Sequence, residues 1–126
     1  MRVLIVEDSP EVARRISEAI SPIEGAVLLG HAESAPQAVR DIAAQRPDVV
    51  VLDLGLAEGS GYDVLKACGS LSGTPILLVF SNHLDDSVCA YCLHLGATRC
   101  FDKSSQLPEL LDVLTVFART GAIERT

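Results

Sequence analysis

Five short apolar runs, separated by stretches of helical periodicity, constrain this chain more than any other feature. The runs are RVLIV (2–6), AVLLGHA (26–32), DVVVLD (48–53), PILLVF (75–80) and the weaker TRCFD (98–102). Strands rich in Val, Ile and Leu without polar alternation need cover on both faces, and helices between successive strands supply it. The pattern predicts an α/β fold: a doubly wound, five-stranded parallel sheet with helices on both faces. Helix signals fill the gaps. Ser9 and Pro10 open the first helix, which carries Val12, Ile16, Ala19 and Ile20 on one face. SAPQ (34–37) reads as a capping box from Ser34 to Gln37, with Pro36 tolerated in the first turn. The last helix is expected from about Ser105 to Arg119, with Leu107, Leu110, Leu111, Leu114, Phe117 and Ala118 along its buried face.

The chain has 126 residues, 48% of them hydrophobic, which suits one domain with a sizeable core. We expect a single unit over 1–126, with its core at about 2–118 and a short tail at 119–126. The net charge of −7 argues against nucleic acid as a direct partner. MRVLIVED reaches carboxylates too soon for a secretory signal or a membrane insertion, so a cytoplasmic protein is expected. Cys68, Cys89, Cys92 and Cys100 fall mostly in apolar patterns, as small buried hydrophobes do. Cys89 and Cys92 form a C-x-x-C, but inside a helical stretch rather than at its start, which disfavours a redox or zinc reading.

In a doubly wound sheet, ligands bind beyond the carboxyl ends of the strands. The first strand ends at Glu7 and Asp8, the third at Asp53 and the fourth at Ser81, and the fifth runs into Lys103. Two carboxylates about 4 Å apart repel by roughly 4 kcal/mol at an effective dielectric near ~20, so a trio calls for a cation or a raised pKa. Carboxylates and water suit Mg²⁺, which leaves room for a phosphate oxygen. Taken singly, each residue has an ordinary structural use: Asp8 or Ser9 as a helix cap, Asp53 and Ser81 as turn formers, Lys103 as a solvated charge. Their joint placement is what points to a site.

LIVEDSP, VVVLDLGLAEGSGYDVL, PILLVFSN and GATRCFDKSSQLPELLDVL, in this order over about residues 2–118, resemble the receiver domain of two-component response regulators. The resemblance implies the flavodoxin-like strand order 2-1-3-4-5. It implies that Asp53 accepts a phosphoryl group from a sensor histidine kinase or phosphotransfer protein. Mg²⁺ (or Mn²⁺) would be held by Glu7, Asp8, Asp53 and the backbone carbonyl of Gly55, with Ser81 and Lys103 bonding the phosphoryl group. It further implies a downstream protein partner or homodimer through the face of the fourth helix, fifth strand and fifth helix. Such a protein assists its own phosphorylation and dephosphorylation but is not a conventional turnover enzyme. A dehalogenase-type phosphatase would want a second acid at Gly55, and a flavodoxin-like cofactor site a phosphate-cradling loop where Glu7 and Asp8 stand.

Several residues depart from the family pattern. Cys100 stands where an aromatic ring is usual, Asn82 replaces a small residue after Ser81, and Ser104 follows Lys103 where proline is common. Asn82, Cys100 and His83, two residues after Ser81, are candidate modulators. Phe101 should not substitute for the missing ring, because adjacent strand residues face opposite ways. Val116 and Val113 fall about 160° and about 100° from the apolar centre of the last helix, unexpected places for valine and a candidate contact surface. Two readings follow: a stand-alone phosphoacceptor acting by partner contact, and a receiver-shaped interaction module that no longer switches.

Overall fold

The structure, a computed structural model, describes residues 1–71, 73–82 and 84–123. Strands and helices alternate: β1 (Arg2–Val6), α1 (Pro10–Ile20), β2 (Val27–Ala32), α2 (Ala35–Gln45), β3 (Val49–Leu52), α3 (Gly61–Cys68), β4 (Ile76–Ser81), α4 (Asp86–His94), β5 (Arg99–Asp102) and α5 (Leu107–Thr120). All five strands pair in parallel in the order β2-β1-β3-β4-β5, as expected. Among the described residues no helix is long and apolar enough to cross a membrane.

Strand alternation divides the core in two. Leu4, Val6, Val50, Leu52, Leu77 and Val79 face α2, α3 and α4, meeting Ala38, Ile42, Leu65 and Cys92. Val3, Ile5, Val51, Leu78, Phe80 and Phe101 face α1 and α5, meeting Ile16, Ile20, Leu110 and Leu114. Every residue of β3 is buried, which explains its unbroken apolar run, whereas the edge strand β2 is only partly covered.

Local chemistry fixes the helix starts. Ser9 Oγ accepts from the Val12 amide at 3.3 Å and Ser34 Oγ from the Gln37 amide at 3.3 Å. The expected box at Ser34 is displaced: Gln37 Oε1 accepts from the Glu33 amide, one residue before the cap, at 3.1 Å. In α1 the buried small residue is Ala13 rather than Ala19. α5 starts two residues later than expected because 102–106 closes on itself first. The Asp102 carboxylate accepts from the Ser104 amide at 2.8 Å, and Gln106 Oε1 accepts from the Asp102 amide at 2.8 Å. That turn holds Lys103 with a trans bond to Ser104.

Burial has a consequence at alkaline pH. Cys68 is 1% exposed on the sheet side of α3, and burial pushes its thiol up to about 11 from the ordinary 9.0. The unfolded thiol ionises first, so the contribution is intact below the unfolded value and is lost as pH rises through the folded one. Stability should fall by on the order of 2 kcal/mol between those two values. Urea midpoints across this window should show the fall, and Cys68→Ala should make it shallower, the buried thiols of Cys92 and Cys100 keeping a share of it. An identical slope in Cys68→Ala would reject the assignment.

Candidate functional site

The site residues are set by the sheet's own hydrogen-bond ladder, continued one rung past the strand ends. The Glu7 amide donates to Ala32 O at 2.9 Å, the Asp53 amide to Val6 O at 2.9 Å and the Lys103 amide to Ser81 O at 3.0 Å. The carboxylates, the hydroxyl and the ammonium therefore start from a rigid rim.

Asp53, whose side chain is 13% exposed, sits at the centre. Ser81 Oγ donates to its Oδ1 at 2.6 Å, the Gly55 amide approaches the same oxygen at 3.4 Å, and Lys103 Nζ donates to Oδ2 at 2.7 Å. The same ammonium donates to Glu7 Oε1 at 2.5 Å, and the Ser9 amide donates to Glu7 Oε2 at 3.2 Å. Glu7 is only 2% exposed, so Lys103 is a cation shared between two buried acids.

Burial raises the Glu7 carboxyl above its usual value, and the Lys103 hydrogen bond only partly offsets it. Burial alone would pull the Lys103 ammonium down. Its bonds to Asp53 and Glu7 outweigh that and leave it raised.

Glu7, Asp8 and Asp53 each offer an oxygen within 4.8 Å of the others, and Asp8 is the exposed member of the trio. A hard divalent ion fits this donor set: oxygen ligands on one rim, with a buried carboxyl that resists carrying its charge unaided. Asp53, Leu54, Gly55, Tyr62, Ser81, Asn82 and Val88 line the hollow above the central carboxylate.

The structure thus brings together Glu7, Asp8, Asp53, Ser81 and Lys103, with Gly55 beside them. Asn82 is exposed between this hollow and a groove along α1 that also reaches Lys103. Cys100 is set back beneath α4, packed on the core of that face, and Phe101 faces the opposite core. His83 lies outside the described residues. Val113 packs partly on the core beside α5, while Val116 is 49% exposed.

Sequence reasoning missed Tyr62. It lines the hollow and packs on Tyr91 of α4, with ring centroids 5.4 Å apart at 48°. Its place in the run after Asp53 was visible in the sequence, but the stacking depends on how α3 and α4 meet.

A parallel doubly wound sheet with an acidic trio, a hydroxyl and a lysine at the carboxyl ends of its strands defines an α/β protein with an acidic pocket on that rim. The chain belongs to the response regulator receiver domain family, which matches residues 3–115. It is 31% identical over 128 residues to a protein-glutamate methylesterase/protein-glutamine glutaminase 5 of Myxococcus xanthus, covering 97% of this chain and 37% of that protein. A Vibrio vulnificus protein-glutamate methylesterase/protein-glutamine glutaminase 2 is 34% identical over 83% of this chain and 31% of its own length. The chain thus spans only about a third of these two relatives. Among solved structures, a LuxR-family two-component response regulator from Aurantimonas superposes with a TM-score of 0.87 at 25% identity, covering 97% of this chain and 86% of that one. The response regulator domain of Thermotoga maritima CheB superposes with a TM-score of 0.82 at 21% identity, over 94% of this chain and 93% of that one, a likeness of fold.

Proposed function

We propose that the chain is a cytoplasmic phosphoacceptor of a two-component phosphorelay. Asp53 takes a phosphoryl group from a phosphohistidine on a sensor histidine kinase or phosphotransfer protein. A P–O bond forms to the Asp53 carboxylate as the donor's P–N bond breaks, leaving an acyl phosphate and a free imidazole. The observation that carries the reading is the double anchoring of Asp53, one oxygen on Ser81 and the other on Lys103, beside two further acids. Glu7, Asp8, Asp53 and the carbonyl of Gly55 would hold Mg²⁺ (or Mn²⁺). Held there, such an ion would supply charge neutralisation for the phosphoryl oxygens.

The chain's own residues do the rest. The rigid end of β3 aims the nucleophile, and Leu54 and Gly55 offer backbone amides on the same side. Lys103 neutralises the acids in the resting site and is close enough to follow the added charge. Ser81 Oγ, now bonded to Asp53 Oδ1, would turn toward a phosphoryl oxygen and draw Asn82 and the loop before α4 with it. The output is a change in partner binding on the surface of α4, β5 and α5, where Arg99, Asp112, Val113 and Val116 line a shallow groove.

The test is labelling by acetyl phosphate. The intact protein should gain one HPO₃ at millimolar Mg²⁺, Asp53→Asn should gain none, and EDTA should prevent the gain. No mass gain at millimolar Mg²⁺ rejects the reading. One observation favours a second reading, an interaction module that does not switch: on the β5 face beneath α4 stands the small thiol of Cys100, while the strand's aromatic ring, Phe101, faces the opposite core. If beryllium trifluoride binds Asp53 but leaves the α4 amide resonances and partner affinity unchanged, that second reading holds.

A further inference from the structure

Outside the acidic pocket, three of the four cysteines gather where α4 crosses β5. Cys89 and Cys92 lie one turn apart in α4, and Cys100 lies on the β5 face turned toward that helix. The Cys100 sulfur lies 4.0 Å from the Cys89 carbonyl oxygen, so the β5 thiol sits directly against the turn of α4 that carries Cys89. The three differ in access. Cys92 is fully buried at 0% exposure, while Cys89 and Cys100 are half-buried and open to a small solute. All four cysteines are free thiols.

Geometry selects a pair. Within an intact helix, side chains three residues apart have Cβ atoms about 5–6 Å apart, beyond the roughly 3.5–4.5 Å that a disulfide spans. Cys89 with Cys92 therefore needs the helix to unwind. Cys89 with Cys100 joins two elements already packed against each other, the Cys100 sulfur lying 4.0 Å from the Cys89 carbonyl oxygen, so this pair does not require α4 to unwind.

We propose that Cys89 and Cys100 are a peroxide-oxidisable thiol pair whose intramolecular disulfide pins α4 to β5. The Cys89 thiolate attacks hydrogen peroxide, breaking the O–O bond, and becomes a sulfenic acid as hydroxide leaves. The Cys100 thiol then displaces that hydroxyl as water, so two thiols and one peroxide become one disulfide and two waters. Burial raises the Cys100 thiol well above its ordinary value, so the second step is the slower and quickens with pH. This chemistry is independent of Asp53 and of any phosphoryl donor.

Trypsin makes the test unambiguous. No Lys or Arg lies between Ala67 and Thr98, and cleavage after Arg99 isolates Cys100 in the tetrapeptide Cys100–Lys103, away from the other three cysteines. The full chain is treated with hydrogen peroxide near neutral pH, blocked with iodoacetamide and digested. The expected result is a monomer lighter by two hydrogens, with Cys100–Lys103 joined to Ala67–Arg99 and released by dithiothreitol. Cys89→Ser and Cys100→Ser should each abolish the joined peptide, with Cys100→Ser trapping the sulfenic acid on Cys89 as a dimedone adduct. Cys92→Ala should retain the link. Far-UV circular dichroism confirms that each variant is folded. Any of four outcomes overturns the proposal: free thiols throughout, a bond confined to Ala67–Arg99, disulfide-linked dimers alone, or a link that survives in Cys89→Ser.

Discussion

Replacing Lys103 with Ala lowers stability by about 3 kcal/mol in EDTA, and millimolar Mg²⁺ restores most of the loss. The ammonium holds Glu7 and Asp53 together, and Glu7 is 2% exposed. Removing one partner of a buried ion pair leaves the other charge uncompensated, which costs more than the pair itself contributed. The sign of the pH effect follows. The Glu7 carboxyl is already raised by burial, and losing Lys103 removes an influence that lowers it. A carboxyl raised in the folded state adds stability below its unfolded value, and this is lost as pH rises through the folded one. The gap between variant and parent is therefore small at about pH 5 and wide at about pH 8. Urea midpoints in EDTA and in Mg²⁺ at both pH values measure it. An equal deficit in both buffers would mean that the acidic trio does not take up the ion.

Gly61→Ala should destabilise the fold by about 2 kcal/mol and slow phosphoryl labelling of Asp53 on the order of a hundredfold. A Cβ there would come within 2.5 Å of the Asp53 carbonyl oxygen and 2.8 Å of Leu54 Cα. Both contacts are backbone, and the Gly61 amide is itself bonded to Leu54 O at 2.9 Å, so no side-chain rotation relieves the clash. The displaced segment is the one that aims the nucleophile. Gly55→Ala is the control: its Cβ meets nothing within 4 Å, and the variant keeps its carbonyl. Chemical unfolding and the rate of labelling by acetyl phosphate compare the two. Parent-like kinetics in Gly61→Ala would show that the loop absorbs the methyl group without moving Asp53.

The architecture was legible in the sequence because a strand buried on both faces, such as Val49–Leu52, can hardly be written in another composition. The meeting of Glu7, Asp8, Asp53, Ser81 and Lys103 was legible for a related reason: in a parallel sheet all strand ends share one rim, so sequence position implies proximity. What stayed hidden depends on where a flexible side chain finds its partner. Gln37 reaches Glu33 instead of Ser34, and Val113 gains cover from the packing beside α5. Asp102 and Gln106 close a turn that delays α5 by two residues, an arrangement that hydrophobic periodicity does not encode. Tyr62 belongs with these, since its neighbour Tyr91 comes from a different helix.

The ladder rungs beyond the strand tips have a practical corollary for engineering. Because the pocket hangs from the sheet's carboxyl margin, the turns at the opposite margin are mechanically remote from it. Gly73, in the connection leading into β4, adopts a left-handed conformation with open space around it. A fluorescent reporter or affinity handle spliced between Gly73 and Thr74 should leave the chemistry of Asp53 as it is.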